Sequence, residues 1–287
     1  IARPDLSDMG ELDVDFIDTI VADGDGTALE EVLTVTLPNP ALKPAYSYNF
    51  DLGGEWYFSR SGVLSANLFY KKIDKFIFAG IRRSGASGLA ATDLNSIGGL
   101  ENVDFTEFDD VIVDQVSNGD TAKIYGVEFN FNVQLDDWVK SWWGGFGLLA
   151  NLTLQDSETT VPITDNYARM VPFFNSPKYV GNVALTYEKY GLDASLSYSF
   201  QGRQLDAVQA HLNFDEFEQD YSALDLKVEY TLPFKGIGKW AIFGRVSDIT
   251  NGGKRPVNWE TKGRTGRYLD DIEYIGREWR FGIRARF

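Results

Sequence analysis

The stretch Trp279–Phe287 alternates without a fault, with Trp, Phe, Ile, Ala and Phe at the odd positions and Arg, Gly, Arg and Arg at the even ones. Successive side chains of a strand point to opposite faces, so this pattern sets an apolar stripe against a cationic one. The same period of two recurs in Tyr48–Phe58, Leu64–Lys71, Tyr125–Leu135, Phe146–Gln155, Asn182–Tyr187, Leu192–Gln201, Leu224–Tyr230 and Trp240–Ser247. Only the last is uneven, because Phe243 falls opposite Ile242 and Val246. Aromatic and aliphatic residues dominate one face of each run, as strands prefer. The chain is predicted to be all-β.

The connections alternate as well. Ser59–Gly62, Asp136–Gly145, Glu188–Gly191 and Pro233–Lys239 are short, whereas the links 80–121, 156–175, 202–220 and 251–276 are long, as is the leader 1–44. A soluble sandwich has no reason to keep every long connection at one end. An antiparallel transmembrane β-barrel does, with short periplasmic turns on one side and long extracellular loops on the other. The terminal run Trp279–Phe287 also has about the 9–11 residues that a tilted strand needs to cross a bilayer. Phe287 would then stand at the periplasmic rim. Trp56, Tyr57, Phe58, Trp138, Trp142, Trp143, Tyr187 and Tyr190 cluster at the short turns, where an aromatic girdle belongs. Nine strands would leave two open edges in lipid, so a C-terminal set of nine to ten strands from a larger barrel is expected, with Ile1-Ala2-Arg3 as the tip of a tenth.

Composition sharpens this. No run of about 18 apolar residues predicts a membrane helix, and the absence of cysteine removes disulfides and thiolate chemistry. A net charge of −15 argues against nucleic acid as a partner. The acidity sits in the connections: residues 1–44 carry 10 acids against 2 bases, residues 80–120 carry 8 against 2, and residues 204–220 carry 5 against none. Solvated loops account for that bias.

With the strands placed, several stretches resemble the TonB-dependent receptor family of Gram-negative outer membranes. Asn39-Pro40-Ala41-Leu42-Lys43-Pro44 followed by Tyr48–Phe58 is similar to the family passage that enters a strand, and Leu68–Ile77 to the strand after it. Val246-Ser247-Asp248-Ile249-Thr250-Asn251 resembles a segment near the family's end, with Asp248 in place of the usual Asn and Ile249 in place of Leu. Gly276–Phe287 is close to the family terminus. Its assembly signal maps to Arg280, Gly282 and Phe287, and Ala285 departs from it. The flavour is closest to the alphaproteobacterial and xanthomonad receptors associated with carbohydrate uptake. The resemblance implies a 22-stranded barrel of which this chain is the last third, with the plug and the TonB box lying outside it. It further implies active import of a small-molecule nutrient, and as partners the TonB complex through the plug, the barrel-assembly machinery through the C-terminal strand, and the lipid bilayer with its lipopolysaccharide. A ferric-siderophore or metal-chelate receptor on the same fold is the first alternative. A secreted β-sandwich for carbohydrate binding or hydrolysis is the second, and it would need paired carboxylates in a cleft.

No catalytic constellation, cofactor motif or metal site is read from the sequence. His211 is the sole histidine and lacks a motif partner. Asp23-Gly24-Asp25-Gly26 with Glu30 and Glu31 misses the spacing of a calcium loop. Sugars are gripped by aromatic faces beside planar hydrogen-bonding groups. Candidates on the long-loop side are Trp259, Tyr268, Phe173, Phe174, Asn175 and Asn213, with Gln201 and Arg203 at a strand end. Glu128, Asn130, Lys227, Glu229 and Arg245 are expected in a polar lumen network.

Overall fold

The computed structural model describes residues 17–22, 29–36, 39–85, 102, 104, 110–164, 167–208, 215–234, 238–250, 258–262, 268–273 and 276–287. Strands are numbered in chain order. Nine of them form an antiparallel meander in which each pairs with the next: β3 (Tyr46–Tyr57), β4 (Val63–Asp74), β7 (Thr121–Gln134), β8 (Phe146–Thr164), β10 (Tyr179–Lys189), β11 (Leu192–Gln201), β14 (Tyr221–Thr231), β15 (Lys239–Ser247) and β18 (Glu278–Arg286). These are the nine alternating runs of the sequence. Among the described residues, no helix is long and apolar enough to cross a membrane.

Register carries the pattern across the whole sheet. One row runs Val133, Leu148, Leu185, Leu196, Leu226, Val246, Trp279 through seven adjacent strands. The next row runs Gln134, Gly147, Thr186, Ser195, Lys227, Arg245, Arg280. Because the side-chain period is two, these neighbouring rows occupy opposite faces. The apolar face is not packed away: Leu68 is 54% exposed, Leu185 46% and Trp279 57%. A sandwich would bury such a face in its core, and water would penalise leaving it bare. Hydrocarbon fits it.

On the polar face the basic row is neutralised by carboxylates from the neighbouring strands. Lys227 reaches Asp193 at 3.7 Å, Arg245 reaches Asp225 at 3.9 Å, and Arg284 donates to Glu229 at 2.9 Å. Asn182 donates to Ser199 at 2.8 Å, and Asn130 stands in register with Asn151. Phe243, the residue that breaks the alternation, lies on this face beneath the Arg284 guanidinium, 5.5 Å from the ring. A Cβ on Gly282 would come within 2.5 Å of that ring, so the glycine of the terminal strand has a packing reason of its own. Arg280 pairs with Glu278 at 2.6 Å, and the Phe287 ring meets Trp240 edge-on at 5.8 Å.

The two ends of the meander differ. At the short-turn end, aromatics form a belt: Phe58 stacks near Phe131 and Trp138, Trp142 on Trp143, and Phe146 against Tyr187. The Ser59–Gly62 turn is clamped there, because Asp137 accepts the Ser61 amide at 2.9 Å and its hydroxyl at 2.8 Å. At the other end the long links hold strands rather than bare loops. β5 (Ile77–Gly85) and β6 (Asp110–Asn118) continue the β4–β7 pair past a break at Lys75, whose φ is 57°. With β1 (Ile17–Ala22) and β2 (Leu29–Thr36) they make a sheet ordered β1-β2-β6-β5. β9 (Tyr167–Val171) folds back on the far half of β8, and β12 (Gln204–Ala207), β13 (Glu216–Glu218), β16 (Asn258–Lys262) and β17 (Tyr268–Glu273) form a third sheet. Most of these segments carry β-branched or aromatic residues, as strands prefer, whereas β12 (Gln-Leu-Asp-Ala) has none and pairs through its contact with β13. Residues 1–16, and with them the expected tip of a tenth strand, lie outside the described residues.

Two outcomes follow. Leu196→Arg places a charge on the apolar face and is expected to cost about 2–4 kcal/mol of folding free energy in vesicles, whereas Ser197→Arg, beside Asp225 on the polar face, is expected to stay near native. Equal losses from both would contradict the assignment of faces. The second concerns acid. The Ser59 hydroxyl, then the Ser61 amide and hydroxyl, hold the Asp137 carboxyl below its ordinary 3.8, at about 2. A depressed carboxylate stabilises the fold above its unfolded value and loses that contribution as pH falls through the folded one. Asp137→Asn should therefore unfold more easily than the native chain at pH 7, with the gap closing between about pH 4 and pH 2; equilibrium denaturation across that window measures it.

Candidate functional site

The longest strand, β8, has 19 residues. A tilted crossing uses about ten, so its far half stands clear of the apolar band and carries β9 alongside. The chain then turns through Pro172-Phe173-Phe174-Asn175-Ser176-Pro177 before β10. Two prolines and a left-handed Asn175 (φ 51°) shape this turn, a conformation that asparagine tolerates better than most residues.

The turn is fastened on both sides. From β8, Ser157 accepts the Phe173 amide at 3.0 Å, and the Gln155 side chain donates to the Ser176 hydroxyl at 3.1 Å and the Pro177 carbonyl at 2.8 Å. From the β12 side, the Leu205 carbonyl accepts the Asn175 amide at 2.9 Å, and Gln204 donates to the Asn175 side chain at 3.4 Å. Behind it lies a small apolar core of Phe76, Phe78, Ala122, Val161, Val171, Leu205 and Val208. Phe173 meets Phe76 edge-on at 5.5 Å, and Phe174 stacks on Phe78 at 6.0 Å. Gly119 is required here, because a Cβ would come within 2.1 Å of the Phe76 ring.

Below this wall, on the polar face of the sheet, opens a cavity of about 440 Å³. Phe173, Phe174, Asn175 and Ser176 roof it, while Asp51, Lys71, Glu128, Gln155, Ile124 and Phe69 form its floor. It thus combines aromatic surface, uncharged amide and hydroxyl groups, and two carboxylates against one ammonium. Phe69 enters the polar face because Gly126 opposite it leaves room, where a Cβ would come within 2.8 Å of the Phe69 ring.

Of the expected ligand residues, the structure brings Phe173, Phe174 and Asn175 together at this cavity. Gln201 and Arg203 stand apart from it. Gln201 donates to Glu218 at 3.2 Å, and the Arg203 guanidinium stacks 3.8 Å from the Phe217 ring, where burial lowers its pKa from the ordinary value. Arg203 lines a second cleft, of about 340 Å³, with Lys178, Tyr179, Gln204 and Phe217. Trp259 and Tyr268 fall on the paired strands β16 and β17. Asn213 and His211, like Asp23–Gly26, lie outside the described residues. Sequence reading missed Gln155, Asp51 and Lys71, whose even spacing along the polar face was legible, while the cavity that they share was not. Among the described residues, no group of three or more His, Cys, Asp or Glu side chains could hold a metal ion.

A meander with one lipid-compatible face, one ion-paired polar face and an elaborated end defines a bacterial outer-membrane β-barrel. The family model "TonB dependent receptor-like, beta-barrel" matches residues 4–249, and the chain belongs to that family of transport receptors of the Gram-negative outer membrane. No curated protein matches the sequence. Among solved structures, a point mutant of the ferric enterobactin receptor PfeA from Pseudomonas aeruginosa shares the fold at a TM-score of 0.55 and 15% identity, over 89% of this chain and 33% of that one. The siderophore receptor PirA from Acinetobacter baumannii gives 0.52 and 16%, over 88% and 33%. The copper transporter OprC gives 0.52 and 15%, over 85% and 32%. The chain therefore spans about a third of the length of the receptors it resembles, as a partial barrel.

The apolar core behind the turn sets a further expectation. Phe76→Ala removes a ring that is 3% exposed, at a cost of about 3–5 kcal/mol to whatever it holds together. Limited proteolysis should then cut the long-link end faster while the meander stays intact; unchanged cleavage would show that the core does not hold the links.

Proposed function

We propose that this chain contributes the C-terminal part of the barrel of a TonB-dependent importer whose cargo is a small, uncharged, polyhydroxylated solute, an oligosaccharide in the simplest case. The long links face the outside and the short turns the periplasm. One observation carries the choice of cargo. The cavity under Phe173 and Phe174 pairs two rings with the planar amides of Asn175 and Gln155 and the Ser176 hydroxyl, and its charged groups sum to one excess negative charge. Sugar C–H faces stack on rings while hydroxyls take directed hydrogen bonds. A polyanionic chelate would meet Asp51 and Glu128 within a chain of net charge −15.

A ferric-siderophore or metal-chelate receptor is the second reading, favoured by what the structural neighbours PfeA, PirA and OprC are named for. In either case the open edges of β3 and β18 are where further strands of the barrel would pair, since unpaired backbone in hydrocarbon costs several kcal/mol per group. A plug would meet the ion-paired polar face and carry the contact with TonB. Arg280, Gly282 and Phe287 on the terminal strand would be read by the barrel-assembly machinery. The apolar face, with its aromatic borders, would meet the bilayer and its lipopolysaccharide.

Titration calorimetry on the purified receptor in detergent, against a panel of neutral oligosaccharides and ferric catecholate chelates, tests the choice. Saturable sugar binding is expected, with Phe174→Ala and Asn175→Ala each weakening it about tenfold, the equivalent of about 1.4 kcal/mol. Saturable binding of a ferric chelate with no response to sugars would replace the first reading by the second.

A further inference from the structure

Two connections that are far apart in sequence are locked together at the long-link end. From β9, Arg169 donates Nη1 to Asp215 Oδ2 at 2.9 Å and Nη2 to Oδ1 at 2.7 Å. The two side chains are only 5% and 2% exposed. Taking both charges out of water offsets most of their attraction, so a pair like this adds little net stability over apolar side chains of similar size. Its distinctive property is direction. A guanidinium fork meets a carboxylate edge in one orientation, which neither an ammonium nor an apolar contact reproduces.

That orientation is passed on to the cavity. Asp215 leads directly into β13, which pairs with β12 through Phe217 and Leu205. Leu205 is 1% exposed, and its carbonyl accepts the Asn175 amide, while Gln204 beside it holds the Asn175 side chain. Arg169 itself is four residues ahead of Phe173, on the strand that feeds the turn. The ion pair thus closes a ring of contacts: β9, Asp215, β13, β12, Asn175, and back along the chain to β9.

We propose that Arg169 and Asp215 are positioning residues for the ligand wall, fixing where Phe173, Phe174 and Asn175 stand above the cavity. This rests on the reading of that cavity as the cargo site. Specificity would then depend on two residues that do not line the cavity, and replacements at either would alter selection without touching the cargo.

Hydrogen exchange of the receptor in detergent, with no ligand present, tests it. In Arg169→Met the Asp215 carboxylate is left buried without its fork, and exchange at the Asn175 and Phe173 amides is expected to rise at least tenfold while Leu185, on β10, keeps its native rate. The double variant Arg169→Met/Asp215→Leu removes both charges and is expected to restore the melting temperature but not the slow exchange at Asn175. Native exchange at Asn175 in the double variant would overturn the proposal, because the pair would then only fill space. Native exchange in Arg169→Met would overturn it too. If the single variant does not fold, the double variant still decides. Because no ligand enters the measurement, a negative result removes the positioning role alone, and the Asn175→Ala titration judges the cargo site separately.

Discussion

Everything in this structure depends on the rule that backbone polar groups in hydrocarbon must find partners within the protein. Between β3 and β18 the meander satisfies it strand by strand, and antiparallel pairing does so with short turns at one end. A one-residue slip between any two strands would keep the hydrogen bonds but exchange the faces. The Leu185–Leu196–Leu226 row would then enter the polar side, and Lys227 and Arg245 would face lipid. Alternation in the sequence therefore does more than form strands. It sets their register.

The two faces are held to different standards. The apolar face needs only to be greasy and bordered by rings, and one row accordingly mixes Val133, Leu148, Leu185, Leu196, Leu226, Val246 and Trp279. The polar face is built from particular pairs, and its exceptions have local causes. Phe69 is accommodated by Gly126, and Phe243 by Gly282 under the Arg284 guanidinium. Both glycines sit where a side chain on the neighbouring strand needs the space that a Cβ would take.

Above the crossing region the logic changes from membrane to water. The links are acidic, yet among their described residues β5, β8, β9 and β12 surround an apolar core that any soluble domain could own. That core supplies the rigid backing for Phe173 and Phe174, and the cavity beneath takes its floor from the polar face of the sheet. The candidate site thus sits where a soluble-type core meets a barrel wall.

The sequence by itself determined the nine crossing strands, their faces and the alternation of short and long connections. These are properties of period and spacing, and so they are local. It also offered Phe173, Phe174 and Asn175 as candidates, on the same footing as Trp259, Tyr268, Asn213, Gln201 and Arg203. What only the tertiary structure decided is which distant residues share a site. Gln155 comes under Ser176, Leu205 beside Asn175 and Asp215 onto Arg169 through folding of links whose own pattern is weak. Gln201 and Arg203, plausible as ligand residues from their place at a strand end, are turned instead toward Glu218 and Phe217. Alternation reports which face a residue occupies, whereas non-local packing chooses its neighbours, and a period of two carries no information about that choice.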